Sequence, residues 1–93
     1  MSLASWKIRF DRHAKKELLS LDRQGQTAIW SYLLNRIAPA EDPRIYGAPL
    51  RKDLAGFWKY RVGSYRIIVE IQDQELVVLV VRVGHRKDVY GGH

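Results

Sequence analysis

The stretch YRVGSYRIIVEI, from Tyr60 to Ile71, leaves the chain little choice of local fold. Two runs rich in β-branched and aromatic residues flank a Gly-Ser pair, and a two-residue loop of that kind closes a β-hairpin. With Gly63 and Ser64 as the loop, Val62 opposes Tyr65, Tyr60 opposes Ile67, Trp58 opposes Val69, and Arg61 opposes Arg66. Like charges directly across a ladder are normally destabilising. Two cations about 5 Å apart repel by about 1 kcal/mol even in water. That register therefore asks for an explanation.

Period-two patterning continues beyond the hairpin. It predicts strands over Phe57–Val62, Tyr65–Ile71 and Glu75–Val83, with Asp73 and Gln74 at the tip of the second turn. Before them, SWKIRF alternates with Trp6, Ile8 and Phe10 on one side, as a half-buried strand does. Asp11 is placed to cap a helix from Arg12 to about Asp22. Gly25 breaks that pattern, and a second helix is expected from about Thr27 to Ala38, ended by Pro39 and Pro43. The three tryptophans, Trp6, Trp30 and Trp58, fall at apolar positions and are expected in the core. Strand, two helices and a three-stranded meander read as α+β: a small βααβββ domain, an antiparallel sheet with both N-terminal helices packed on one face.

At 93 residues the chain is expected to form one domain, 1–93. It has no cysteine, which excludes disulfides and thiolate metal sites and makes a reducing cytoplasm the expected compartment. The opening MSLASWKIRF has no apolar h-region and no segment approaches a membrane span, so neither a leader nor a span is expected. Sixteen Lys and Arg against ten Asp and Glu give a net charge of +6. Such an excess suits a polyanionic partner, nucleic acid or an acidic protein, and also suits simple solubility. Position has to separate these.

The hairpin register sorts the charges. Trp58, Tyr60, Val62, Tyr65, Ile67, Val69, Leu76, Val78 and Val80 share the face the helices should cover. Lys59, Arg61, Arg66, Ile68, Glu70, Val77, Leu79, Val81 and Val83 share the other, and His85 joins them if the last strand runs on without a bulge at Gly84. Three cations thus gather over an apolar floor of Ile68, Leu79 and Val81. A phosphate between Arg61 and Arg66 would turn their repulsion into paired charge-assisted hydrogen bonds; a solvated basic face is the plainer reading. His85 is the one side chain nearby whose ordinary titration lies near neutrality. Tyr90 suits either stacking on a base or closing the core.

The ordered combination of PLRKDLAGFWKYRVGSYRIIVEI with VVLVVRVGHRKDVY resembles the RelE/ParE superfamily of type II toxins over nearly the whole chain. The resemblance implies a toxin neutralised by a cognate acidic antitoxin, in a toxin–antitoxin hetero-oligomer. RelE-like members cleave messenger RNA on the ribosome without metal or cofactor, whereas ParE-like members inhibit DNA gyrase. The basic hairpin and VGHRKDVY ending are more similar to the RelE side. A non-catalytic RNA-binding module is the third reading. By position, Lys59 and Arg61 match the family's basic pair on the first hairpin strand. Arg66 matches its arginine on the second strand, and Arg86 and Tyr90 match its tail arginine and tyrosine. Arg61 stands where a lysine is familiar, and His85 is a proton-transfer group that lysine-based members lack.

Cleavage by the ribose 2′-OH has its own demands: a base for that proton, an acid for the departing 5′-oxygen, and cations for the phosphoryl charge. Arg61 and Arg66 suit the last task, since arginine stays charged. Lys59, crowded by two arginines, is a candidate base, and His85 a candidate acid with Arg86 as its rival; Lys59 and His85 could exchange roles.

Overall fold

The computed structural model describes residues 5–85. Strand β1 (Lys7–Phe10) leads into α1 (Arg12–Ser20) and α2 (Arg23–Tyr32), the latter continued by one π-helical turn, Leu33–Ile37. Short 3-10 turns at Pro43–Tyr46 and Lys52–Leu54 bracket the two-residue β2 (Ala48–Pro49). Three longer strands follow: β3 (Phe57–Val62), β4 (Tyr65–Gln72) and β5 (Val77–His85).

Both helix starts have a carboxylate cap. Asp11 Oδ1 accepts the Ala14 N–H at 2.8 Å, and Asp22 Oδ1 accepts the Gly25 N–H at 2.9 Å. Such caps satisfy amides that have no partner within the helix. The second cap corrects the sequence reading: Gly25 lies inside the first turn of α2 rather than between helices. The cap outweighs one glycine's modest helix penalty. At the other end, the Ala38 N–H reaches back five residues to the Leu33 carbonyl at 2.8 Å. That wider turn lets Leu33 and Ile37 both bury fully. Ala38 then accepts the Trp6 N–H, tying the start of β1 to the end of the helical segment.

The five strands form one sheet in the order β1-β5-β4-β3-β2. The meander is antiparallel, but β1 joins β5 in parallel, Lys7 beside Val77 through Phe10 beside Val80. The sheet is therefore mixed, because the two helices carry the chain back before β5 is made. The helices pack on one face, over Tyr60, Ile67, Val69, Val78, Val80 and Val83. No helix among the described residues is long and apolar enough to cross a membrane.

Two expected core residues lie elsewhere. Leu76 is 43% exposed with φ of 54°, because the turn occupies Asp73–Leu76 and β5 starts only at Val77. Trp30 is 39% exposed, its ring tilted on Phe10 with centroids 5.2 Å apart, because it lies about 100° round the helix from Ile29, which with Leu33 is fully buried.

Candidate anion site on the open sheet face

Gly63 holds φ at +59°, the backbone that a Gly-first two-residue hairpin loop uses. The β3–β4 register is the expected one throughout: Val62 with Tyr65, Arg61 with Arg66, Tyr60 with Ile67, Lys59 with Ile68, Trp58 with Val69. Lys59, Arg61 and Arg66 therefore share the face turned away from the helices. β2 flanks this group, Ala48 pairing with Lys59. Its approach needs Gly47, where a Cβ would lie 2.9 Å from the Lys59 carbonyl and 3.0 Å from the Tyr60 ring.

The two opposed arginines differ in environment. Arg61 is exposed, while Arg66 is only 3% exposed. Arg66 Nη1 donates to the Tyr65 carbonyl at 3.0 Å, and its Nε has no hydrogen-bond partner among the described residues. A buried guanidinium with one amide-type acceptor is under-compensated, and breaking the local rule for buried charge is what functional sites do. At the surface Arg61 offers N–H donors and positive charge to an anion, with the buried Arg66 charge beside it on the same face.

His85 is not part of this group. Past Ile68 and Val69 the β4–β5 register shifts by one residue: Val69 pairs with Val80, but Ile68 pairs with Arg82. Val81 is the extra residue of a β-bulge, and a bulge reverses the inward–outward alternation beyond it. Val83, expected on the open face, joins the core at 2% exposure opposite Ile67. Gly84 pairs with Arg66, and His85 pairs with Tyr65 on the helix-covered side, ring centroids 4.8 Å apart. The bulge falls at Val81 rather than Gly84. Arg86 and Tyr90 lie outside the described residues.

Sequence reasoning missed Glu17. β1 covers β5 only as far as Val80, whose carbonyl accepts the Asp11 N–H. Beyond it Glu17 of α1 takes over the exposed edge, Oε1 accepting the Val83 N–H at 2.8 Å and Oε2 the Arg82 Nε–H at 3.0 Å. His13 lies 3.4 Å from the same carboxylate. Nothing in the spacing of Glu17 marks it out, since the bulge that frees the amide is invisible locally. A second clamp joins Arg44 to Asp73 through two parallel hydrogen bonds, with Arg44 also over the Trp58 ring at 5.9 Å. The bond from Arg44 holds the Asp73 carboxyl below its ordinary range. Behind the sheet, burial pushes the Tyr60 phenol well up, and its hydroxyl donates to the Pro43 carbonyl at 2.8 Å. Among the described residues no three His, Asp or Glu side chains converge to hold a metal ion.

Residues 8–90 match the family described as the ParE toxin of type II toxin-antitoxin system, parDE. This chain is a type II toxin of the RelE/ParE superfamily. The toxin is 32% identical to Toxin RelG of Mycobacterium tuberculosis (strain ATCC 25618 / H37Rv) over 83 residues, 89% of this chain and 93% of that one. Its fold superposes with a TM-score of 0.83 on a chain of the toxin-antitoxin complex RelBE2 from the same organism, at 29% identity, covering 91% and 95% of the two chains. The isolated E. coli RelE toxin gives 0.71 at 27% identity, covering 94% and 93%. The α+β architecture of this toxin, mixed sheet included, is thus the RelE-like one.

Proposed function

We propose that this toxin is a ribosome-dependent mRNA endoribonuclease of the cytoplasm, held in check by a cognate acidic antitoxin. The observation that carries the proposal is the pairing of exposed Arg61 with buried, under-bonded Arg66 on the open sheet face. Its likeness to RelE-type toxins supports the same reading.

The chemistry divides among the chain's own residues. Arg61 and Arg66 grip the scissile phosphate and stabilise charge on its non-bridging oxygens as the 2′-oxygen attacks phosphorus. Lys59, two residues from Arg61 on the same face, takes the 2′-OH proton. The P–O5′ bond breaks to leave a 2′,3′-cyclic phosphate, and the departing alkoxide is far more basic than guanidine, so Arg86 can supply its proton. Tyr90 is the stacking partner for a displaced base. These assignments for Lys59, Arg86 and Tyr90 follow the family match by position.

The ParE description of the matched family supports a second reading, inhibition of DNA gyrase by protein binding, in which the basic face does no chemistry. A non-catalytic RNA-binding module stands third. Induction in growing cells separates them. Primer extension on ribosome-associated mRNA should show discrete new ends within minutes. Halted DNA supercoiling with intact mRNA would instead establish the gyrase reading, and neither effect would leave the RNA-binding module.

A further inference from the structure

Three elements converge on Tyr65. Its hydroxyl donates to Asp22 Oδ1 at 3.2 Å, the same oxygen that caps α2 through Gly25. Gly25 is buried there because a Cβ would sit 2.7 Å from the Tyr65 hydroxyl oxygen. On the other side the Tyr65 ring carries the exposed imidazole of His85, centroids 4.8 Å apart and planes inclined by 36°. The first turn of α2, the first residue of β4 and the last residue of β5 are therefore fastened at one phenol.

This seat is on the wrong side of the sheet for proton transfer to a phosphate held by Arg61 and Arg66. Gly84 pairs with Arg66, so His85, the next residue, points to the opposite face. The imidazole lies on the Tyr65 ring, whose hydroxyl in turn bonds Asp22. We infer that His85 is a positioning residue: its ring, seated on Tyr65, holds the end of β5 on the start of β4 and so keeps in place the Tyr65 carbonyl that accepts from Arg66 Nη1 at 3.0 Å. The inference rests on the reading of the open face as the RNA-cleaving site. An aromatic ring at position 85 is what the seat requires, not a titratable one. Misplacing a catalytic group by about 1 Å costs up to about 100-fold in rate, whereas losing a proton-transfer group costs about 10²–10⁴ together with its pH dependence.

The test is single-turnover cleavage on programmed ribosomes across pH 5.5–8.5 (about the titration range of a histidine), with the full chain. His85→Phe should cleave within a few-fold of the parent and keep its pH profile. His85→Ala and Tyr65→Ala should each be about 10- to 100-fold slower, and the double variant no slower than the worse single one, since both break one seat. Tyr65→Phe keeps the ring and should stay near the parent. A His85→Phe protein as slow as His85→Ala, with the near-neutral limb of the profile gone, would overturn the inference and restore proton transfer. Should Tyr65→Ala fail to fold, the two His85 variants decide alone, His85 being exposed. If the parent arrests growth without cutting mRNA, the reading of the open face has failed. The seat is then judged on growth arrest: His85→Phe as toxic as the parent with His85→Ala attenuated upholds it, and equal toxicity of the two overturns it.

Discussion

Arg61 and Arg66 face each other across the β3–β4 ladder, yet one is in solvent and the other is 3% exposed, its Nε without a hydrogen-bond partner among the described residues. Replacing a buried, incompletely paired charge with an apolar group of similar volume is often neutral or stabilising by about 1–4 kcal/mol. Arg66→Met is therefore expected to hold or raise the thermal midpoint while abolishing growth arrest. Calorimetry on the purified protein, paired with a plating assay, checks both halves. A large loss of stability would mean that Arg66 holds the fold together rather than an anion.

Glu17 is expected to matter more to stability than any surface ion pair. Glu17→Ala strips the Val83 N–H and the Arg82 guanidinium of their acceptor at once. Hydrogen bonds to charged groups contribute about 1.5–3 kcal/mol, so urea unfolding should lose roughly that much. Arg44→Ala should lose far less, because Asp42 and Asp73 are both more than half exposed and water screens them.

Gly47→Ala should destabilise the β2 edge by about 1–3 kcal/mol, the usual cost of overpacking. The atom in the way is the Lys59 backbone carbonyl, which cannot swing aside as a side-chain tip can. Hydrogen exchange should show the loss at Ala48–Lys59 first. Exchange rates there equal to the parent's would contradict the close approach.

Alkali should unfold the protein earlier than its charge suggests. Burial raises the Tyr60 phenol above its ordinary value of 10.0, and Tyr32 is raised mainly by burial as well. The native state thus keeps protons that the unfolded chain releases. This stability is fully present below about pH 10 and is lost as pH climbs above that value. Tyr60→Phe should flatten the decline, at the cost of the hydroxyl bond to Pro43; denaturation curves at pH 8–11 measure it (the window in which an ordinary phenol starts to ionise).

Much of this fold is legible in the chain because its signals are local. Gly63-Ser64 sets the hairpin register residue by residue, and Asp11 announces the first helix. The failures share a different cause. VVLVV from Val77 to Val81 is apolar at every position, so nothing in it records which residues face inward, and the bulge at Val81 went unseen. Val83 and His85 changed sides as a result. Asp22 reads as the end of one helix only until its carboxylate is seen capping the next. Glu17 becomes important solely because β1 stops opposite Val80, a fact of topology. The face shared by Lys59, Arg61 and Arg66 is legible because the hairpin register alone sets it, untouched by the bulge between β4 and β5.

Antitoxin binding should weaken as salt rises, given the net charge of +6. The opposite outcome has a structural source too. Leu19, 62% exposed, and Trp30 line a groove with Phe10, Leu18 and Lys15 that offers apolar contact. Affinity unchanged between about 0.05 and 0.5 M salt, a range over which the screening length shortens severalfold, would show that contacts of this kind carry the complex.

The central claim is that the open sheet face cuts RNA by gripping a phosphate between two arginines. The most direct test is cleavage of ribosome-bound mRNA by purified toxin, comparing the parent with Arg66→Lys. Lysine keeps the charge but loses the planar, two-pronged donor set, so the single-turnover rate should fall by about 10²-fold or more, in line with loss of an oxyanion-stabilising donor, while ribosome binding persists. An Arg66→Lys toxin that cuts at the parent rate would contradict the account.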